Sequence, residues 1–233
     1  MNAKEVAGNR AAEFAQDGMI VGLGTGSTAE FAIRALGKRA AEGLEITAVS
    51  TSIASTNLAE SLGIRVATLE AHPVVDLTID GADEVDPQLN LIKGLGGALL
   101  REKIVASATR EQIIIVDDSK LVQRLGTKAP LPIEVIPFAW PLIQRALTER
   151  ELQPALRKVT DGAPFETDNG NFIIDCTFPS GIDQATDCDH WINALTGVVE
   201  NGLFIGLTNL VIVGAEDGSC RLIKPSLKAA PTS

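Results

Sequence analysis

The stretch Val74-Val75-Asp76-Leu77-Thr78-Ile79-Asp80-Gly81-Ala82-Asp83-Glu84 runs a mostly apolar strand into two carboxylates. Shortly after it, Leu91-Ile92-Lys93-Gly94-Leu95-Gly96-Gly97-Ala98-Leu99-Leu100-Arg101-Glu102-Lys103 brings a lysine, a glycine cluster and the start of a helix with a further carboxylate. Open α/β sheets bind ligands beyond the carboxyl ends of their strands, and glycines let a ligand approach the backbone. Taken alone, Asp80 to Asp83 could be only a polar turn, and the glycines only a loop. Acids, a cation and free amides in one mouth also suit proton transfer on an anionic substrate.

Working outward, a helix is expected over Lys4 to Gln16, with Ala3, Ala7, Ala11 and Phe14 near helical period and Asp17-Gly18 ending it. Met19 to Leu23 reads as a buried strand, followed by Gly24-Thr25-Gly26-Ser27-Thr28 and a helix from Ala29 to Glu42. Strands follow at Ile46 to Val49, Ile64 to Ala67, Val74 to Ile79 and Ile113 to Val116. Helices fill the segment to Leu62 and Ala98 to Ala108. This alternation predicts an α/β fold, an open and mainly parallel Rossmann-like sheet flanked by helices.

After Pro130 the pattern changes. Strands at Ile133 to Ile136, Ala155 to Val159, Phe172 to Cys176 and Val198-Val199, with helices at Pro141 to Arg150 and Asp187 to Leu195, spell β-α-β-β-α-β. That is the order of a ferredoxin-like unit. The expected division is a Rossmann-like domain over residues 1–129 and 208–233 and a smaller α+β ferredoxin-like domain over 130–207. Leu210 to Val213 and Arg221 to Ile223 would return to the first sheet, and the tail Lys224 to Ser233 reads as frayed.

At 233 residues the chain can bury a substantial core. Its net charge of −10 argues against nucleic acid, which needs a basic footprint. A few lysines in one cleft can still reverse the local field for a small phosphate ester. No apolar run approaches the roughly 18 residues of a membrane span. The start, Met1-Asn2-Ala3-Lys4-Glu5, lacks the apolar core of a secretion signal, so a cytoplasmic protein is expected. Cys176, Cys188 and Cys220 have no metal-type spacing, and only His72 and His190 are present, so no histidine-rich metal site is expected.

The glycine loop at Gly24 to Thr28 lies between a strand and a helix, where free amides and the helix dipole favour an anion. Gly24, Gly26 and Ala29 also satisfy a loose dinucleotide spacing. That reading wants an acid at the end of the next strand, which instead ends Val49-Ser50-Thr51-Ser52. Hydroxyls and amides suit a terminal phosphate better.

Taken together, Gly24-Thr25-Gly26-Ser27-Thr28, Asp80-Gly81-Ala82-Asp83-Glu84, Lys93-Gly94-x-Gly96 and Leu100-Arg101-Glu102-Lys103 resemble type A ribose-5-phosphate isomerases. The resemblance continues, in order, through Asp117-x-Ser119-Lys120, Pro130 to Val135, Thr167 to Asn171 and Gly197 to Phe204. It implies an aldose-ketose isomerase interconverting D-ribose 5-phosphate and D-ribulose 5-phosphate. It implies Glu102 as the base moving a proton between C1 and C2, and Asp80 and Asp83 assisting ring opening and hydroxyl proton transfer. Lys93 would stabilise the oxyanion. Substrate contacts would come from Lys4, Thr25, Gly26, Ser27, Thr28, Gly81, Ala82, Gly94, Leu95, Gly96 and Lys120. No metal or organic cofactor is implied, and the partners implied are a small sugar phosphate and further copies of the chain, as a homodimer or homotetramer. One departure stands out: Leu95 interrupts what is usually an unbroken glycine run.

The chemistry is consistent on its own terms. Moving a proton beside a carbonyl needs a partly desolvated carboxylate and a nearby cation. Helical spacing surrounds Glu102 with Ala98, Leu99, Val105 and Ala106. Position alone leaves Asp83 as a possible turn cap, Lys120 as a possible helix-start lysine, and Glu84 and Asp86 as solvated. Trp140 and Trp191 read as core or interface. The alternatives are a sugar-phosphate sensor, an NAD-dependent enzyme lacking its ribose acid, and a deaminase or lactonase acting on sugar phosphates.

Overall fold

Short apolar strands joined by helices pair in parallel, because each crossover helix carries the chain back along a face of the sheet. The computed structural model describes residues 2–225, so the tail beyond Pro225, expected to fray, lies outside the described residues. The first half runs α1 (Ala3–Ala12), β1 (Ile20–Leu23), α2 (Ser27–Ala41), β2 (Thr47–Ser50), α3 (Ile53–Ser61), β3 (Arg65–Val66), β4 (Val75–Gly81), β5 (Glu84–Val85), β6 (Leu91–Ile92), α4 (Leu99–Ser107) and β7 (Thr109–Asp117). The second runs β8 (Leu131–Val135), α5 (Trp140–Thr148), β9 (Gln153–Leu156), β10 (Phe172–Thr177), α6 (Ala185–Asn193) and β11 (Val198–Asn201). The chain then adds β12 (Leu203–Phe204), β13 (Leu210–Gly214) and β14 (Cys220–Ile223).

Seven strands form the main sheet in the order β14-β13-β7-β4-β1-β2-β3, parallel except for β14. Alternating side chains of its strands serve two cores. Val21, Leu77, Ile79, Ile113 and Ile115 pack against α1, α2 and α3, while Ile114, Val116, Val211 and Val213 pack with Ala106 of α4 and with Phe204. The mainly parallel Rossmann-like expectation holds, with helices on both faces. The smaller antiparallel sheet has the order β11-β8-β10-β9, the ferredoxin-like arrangement. Its core includes Val122 and Leu125 from before Pro130, together with Ile92 and Leu203. Trp140 and Trp191 pack against that core, with the guanidinium of Arg150 stacked on Trp191.

A third, three-stranded sheet, β12-β6-β5, goes beyond the sequence reading. Its strands are two residues each, too short to show any period. It matters for the site because it carries β6 directly into Lys93, whose amide donates to Gly202 O. The strand expected over Ala155 to Val159 ends earlier, at Leu156, and Lys158 instead bridges Pro164 in a hairpin.

Candidate active site

β4 and β1 are neighbours in the main sheet, so the loops after both open on the same edge. Asp80, the penultimate residue of β4, is 1% exposed. Its Oδ1 accepts the amides of Thr25 at 3.2 Å and Gly81 at 2.7 Å, and its Oδ2 lies 2.9 Å from Lys93 Nζ. Gly24 is glycine for this reason: a Cβ there would collide with the Asp80 carboxylate. Lys93, 2% exposed, also donates to Gly81 O at 2.6 Å and stands 3.3 Å from Glu102 Oε1. Glu102, on the first turn of α4 and 5% exposed, has no hydrogen-bond partner for Oε2.

One buried cation thus faces two buried carboxylates. Burial pushes the Glu102 carboxyl up, to about 8; Lys93 opposes that rise, and Asp80 and Asp83 reinforce it. Burial likewise raises Asp80 against the pull of Lys93 and two amides. Burial alone would lower the lysine, but Asp80 and Glu102 outweigh it and drive its pKa upward. Asp80 is held by three donors, whereas an oxygen of Glu102 has none, so Glu102 is the more easily protonated of the two carboxyls.

Above this floor opens a cavity of about 210 Å³ lined by Lys4, Thr25 to Thr28, Gly81, Ala82, Asp83, Lys93, Gly94, Gly96, Glu102 and Lys120. Of the fifteen side chains or backbones expected from the sequence, only Asp80 and Leu95 lie outside its lining. α2 begins at Ser27, earlier than the expected Ala29, and its N-terminus faces the cavity with Gly26 as N-cap. Lys4 Nζ donates to Ser27 Oγ at 3.0 Å, and Lys120 arrives from a short 3-10 turn after β7. Three lysines therefore converge on one cleft of an acidic chain.

Gly94 to Gly97 form a tight turn closed by Gly97 N–H on Gly94 O at 3.0 Å. Leu95 fits because only the turn's flanking residues, Gly94 and Gly97, have positive φ. Its side chain is 42% exposed, while its amide donates to Asp83 Oδ2 at 3.0 Å.

Two sequence readings need correction. The hydroxyls after β2 are not free for a phosphate: Thr51, Ser52 and Ser55 are buried and bind the Thr25 hydroxyl, while Ser55 Oγ also donates to Gly24 O. They shape the glycine loop from behind. Glu84, expected to be solvated, is fully buried and accepts the amides of Gly126, Lys128 and Ala129. An acid next to Asp83 in a turn carries no sequence mark of partners more than forty positions away. Among the described residues no group of three or more His, Cys, Asp or Glu could hold a metal ion, and no helix is long and apolar enough to cross a membrane.

With this geometry in view, residues 47–218 match the family model for ribose 5-phosphate isomerase A (phosphoriboisomerase A). The chain belongs to that family. It is 50% identical over 218 residues to ribose-5-phosphate isomerase A of Bacillus mycoides, covering 94% of this chain and 98% of the relative. The solved ribose 5-phosphate isomerase A of Methanocaldococcus jannaschii is 41% identical, superposes with a TM-score of 0.91, and is matched over 96% of this chain and 98% of its own. A D-ribose-5-phosphate isomerase in complex with phospho-erythronic acid is 42% identical with a TM-score of 0.92, over 96% of this chain and all of the other.

Proposed function

We propose that this isomerase-family chain interconverts D-ribose 5-phosphate and D-ribulose 5-phosphate through an enediolate. The observation that carries the reading is the buried Glu102 carboxylate beside Lys93, on the floor of a cavity with a cationic rim. Phosphate would sit at the α2 N-terminus between Lys4 and Lys120, where amides and cations favour an anion. The ligand named for the solved relative, phospho-erythronic acid, has a phosphate at one end and a carboxylate at the other and suits the same polarity.

In the open-chain aldose, ionised Glu102 takes the C2 proton and the electron pair moves into the carbonyl, giving an enediolate. Lys93 lies next to Glu102, and its ammonium offsets part of the negative charge on the enediolate. A hydroxyl proton passes between O1 and O2, and Glu102 returns its proton to C1. Asp83 lines the cavity and can serve ring opening and the hydroxyl transfer directly. Asp80 lies behind Lys93 and acts on substrate through it, by fixing the ammonium. A raised carboxyl pKa makes Glu102 a stronger base once ionised.

For assembly we propose a homodimer or homotetramer, supported by Ile136, Phe138 and Leu142, large apolar side chains exposed within one short stretch, Phe138 at 97%. Three free thiols suit a reducing, cytoplasmic setting. The deciding experiment is an isomerase assay on pentose and hexose phosphates with chelator present. Conversion of ribose 5-phosphate is expected to proceed under those conditions; its absence would end this reading.

A further inference from the structure

The glycine turn is gripped from outside the cavity by one side chain next to the smaller sheet. Arg157 follows β9 and forks onto Asp175 of β10, Nε to Oδ2 at 2.8 Å and Nη2 to Oδ1 at 2.5 Å. Its remaining nitrogen, Nη1, donates to Gly94 O at 3.1 Å and Leu95 O at 3.0 Å. The guanidinium lies over the Phe165 ring, 5.6 Å from its centroid. That ring in turn fills the space a Cβ on Gly97 would enter, at 2.5 Å.

A trans peptide is planar, with its N–H directed opposite its C=O. Holding the carbonyls of residues 94 and 95 therefore fixes the direction of the next two amides. The Leu95 amide meets Asp83 Oδ2. The Gly96 amide belongs to a residue of the cavity wall and has no protein acceptor among the described residues.

We infer that Arg157 is a positioning residue: it aims the Leu95 and Gly96 amides at Asp83 and at the sugar oxygens, without entering the cavity itself. The substrate in this statement rests on the isomerase reading; the aiming of the amides does not. A lysine could not take over, since one ammonium lacks the planar fork that spans Asp175 and reaches two carbonyls. Preorganised donors act most strongly where charge develops, so the effect belongs in turnover.

The test compares Arg157→Met and Arg157→Lys with the unaltered protein. Turnover of ribose 5-phosphate is expected to fall about tenfold or more in both variants. KM should move by less than about threefold, the split that marks a transition-state effect. The Leu95 amide should exchange faster by NMR, phospho-erythronic acid should bind more weakly, and inorganic phosphate should bind as before. Unchanged turnover and unchanged Leu95 exchange in a folded variant would overturn the inference. So would a uniform loss of phosphate binding, melting temperature and turnover, which marks a merely structural arginine. If Arg157→Met does not fold, Asp175→Asn, which removes one of the two fork acceptors and leaves Arg157 and the turn residues unsubstituted, is read by the same measurements. An unaltered protein inactive on ribose 5-phosphate would defeat the isomerase reading alone, and Leu95 exchange would still decide the positioning.

Discussion

Glu102, the proposed base, occupies a buried position that costs stability. Its carboxyl titrates near 4.5 when unfolded and at about 8 in the fold, because burial disfavours its charge. Between those values the native state keeps a proton the unfolded chain has released, so this residue's contribution to stability declines as pH rises through that window. Glu102→Gln keeps the shape and removes the titration. It should melt higher than the parent at pH 8 to 9, each kcal/mol recovered being worth about 2–4 °C in a chain of this size. Its isomerase turnover should drop by about 10²–10⁴, the range for losing a general base. Full turnover in the variant would remove Glu102 from the reaction. In the parent, kcat/KM should rise with pH as Glu102 ionises, with a midpoint close to 8. The burial of Glu102 was legible in the sequence because its helical neighbours are apolar, though its place as base came only from the resemblance; the burial of Glu84 was not legible, because its three amide partners come from a distant loop.

Among elements, the strand-loop-helix units read well and the pairings between distant short segments did not. Seven-residue β4 shows its apolar character locally. β5, β6 and β12 are strands only because they meet each other, and that small sheet is what delivers Lys93 beneath Gly81. The hydroxyl cluster of Thr51, Ser52 and Ser55 escaped for the same reason: a polar strand end looks like a ligand site until Thr25 is seen packed on it. The turn from β1 into α2 is held by β4, and Gly24 is where they touch. Gly24→Ala would force its methyl into the Asp80 carboxylate and pull it from the Thr25 and Gly81 amides. Overpacking of this kind costs about 1–3 kcal/mol. The variant should lose both melting temperature and turnover, whereas Gly43→Ala, where nothing lies within reach of a Cβ but φ is positive at 111°, should lose only stability. Equal turnover losses in the two would show that the Gly24 contact with Asp80 has no part in catalysis.

For the molecule as a whole, assembly and electrostatics decide the remaining questions. The proposed assembly would cover Phe138, flanked by Ile136 and Leu142, with a second copy of the chain. Phe138→Asp should shift sedimentation toward a smaller species, and an unchanged profile would place the interface elsewhere. The charge balance makes a sharper demand. A chain with net charge −10 repels a phosphate dianion at long range, so the proposed capture would depend on the local field of Lys4, Lys93 and Lys120. Lys93 is neutralised by Asp80, which would leave Lys4 and Lys120 to attract the phosphate. Salt screens both fields with a Debye length of about 10 Å at 0.1 M, but the attraction acts at contact and the repulsion across the surface. Moderate salt should therefore lower KM for ribose 5-phosphate slightly in the parent, by removing the repulsion. Lys120→Gln loses attraction and keeps repulsion, so its KM should rise several-fold with kcat nearly intact. Added salt should then lower that KM by screening the repulsion. A Lys120→Gln enzyme with parental KM at every ionic strength would remove this lysine from phosphate capture.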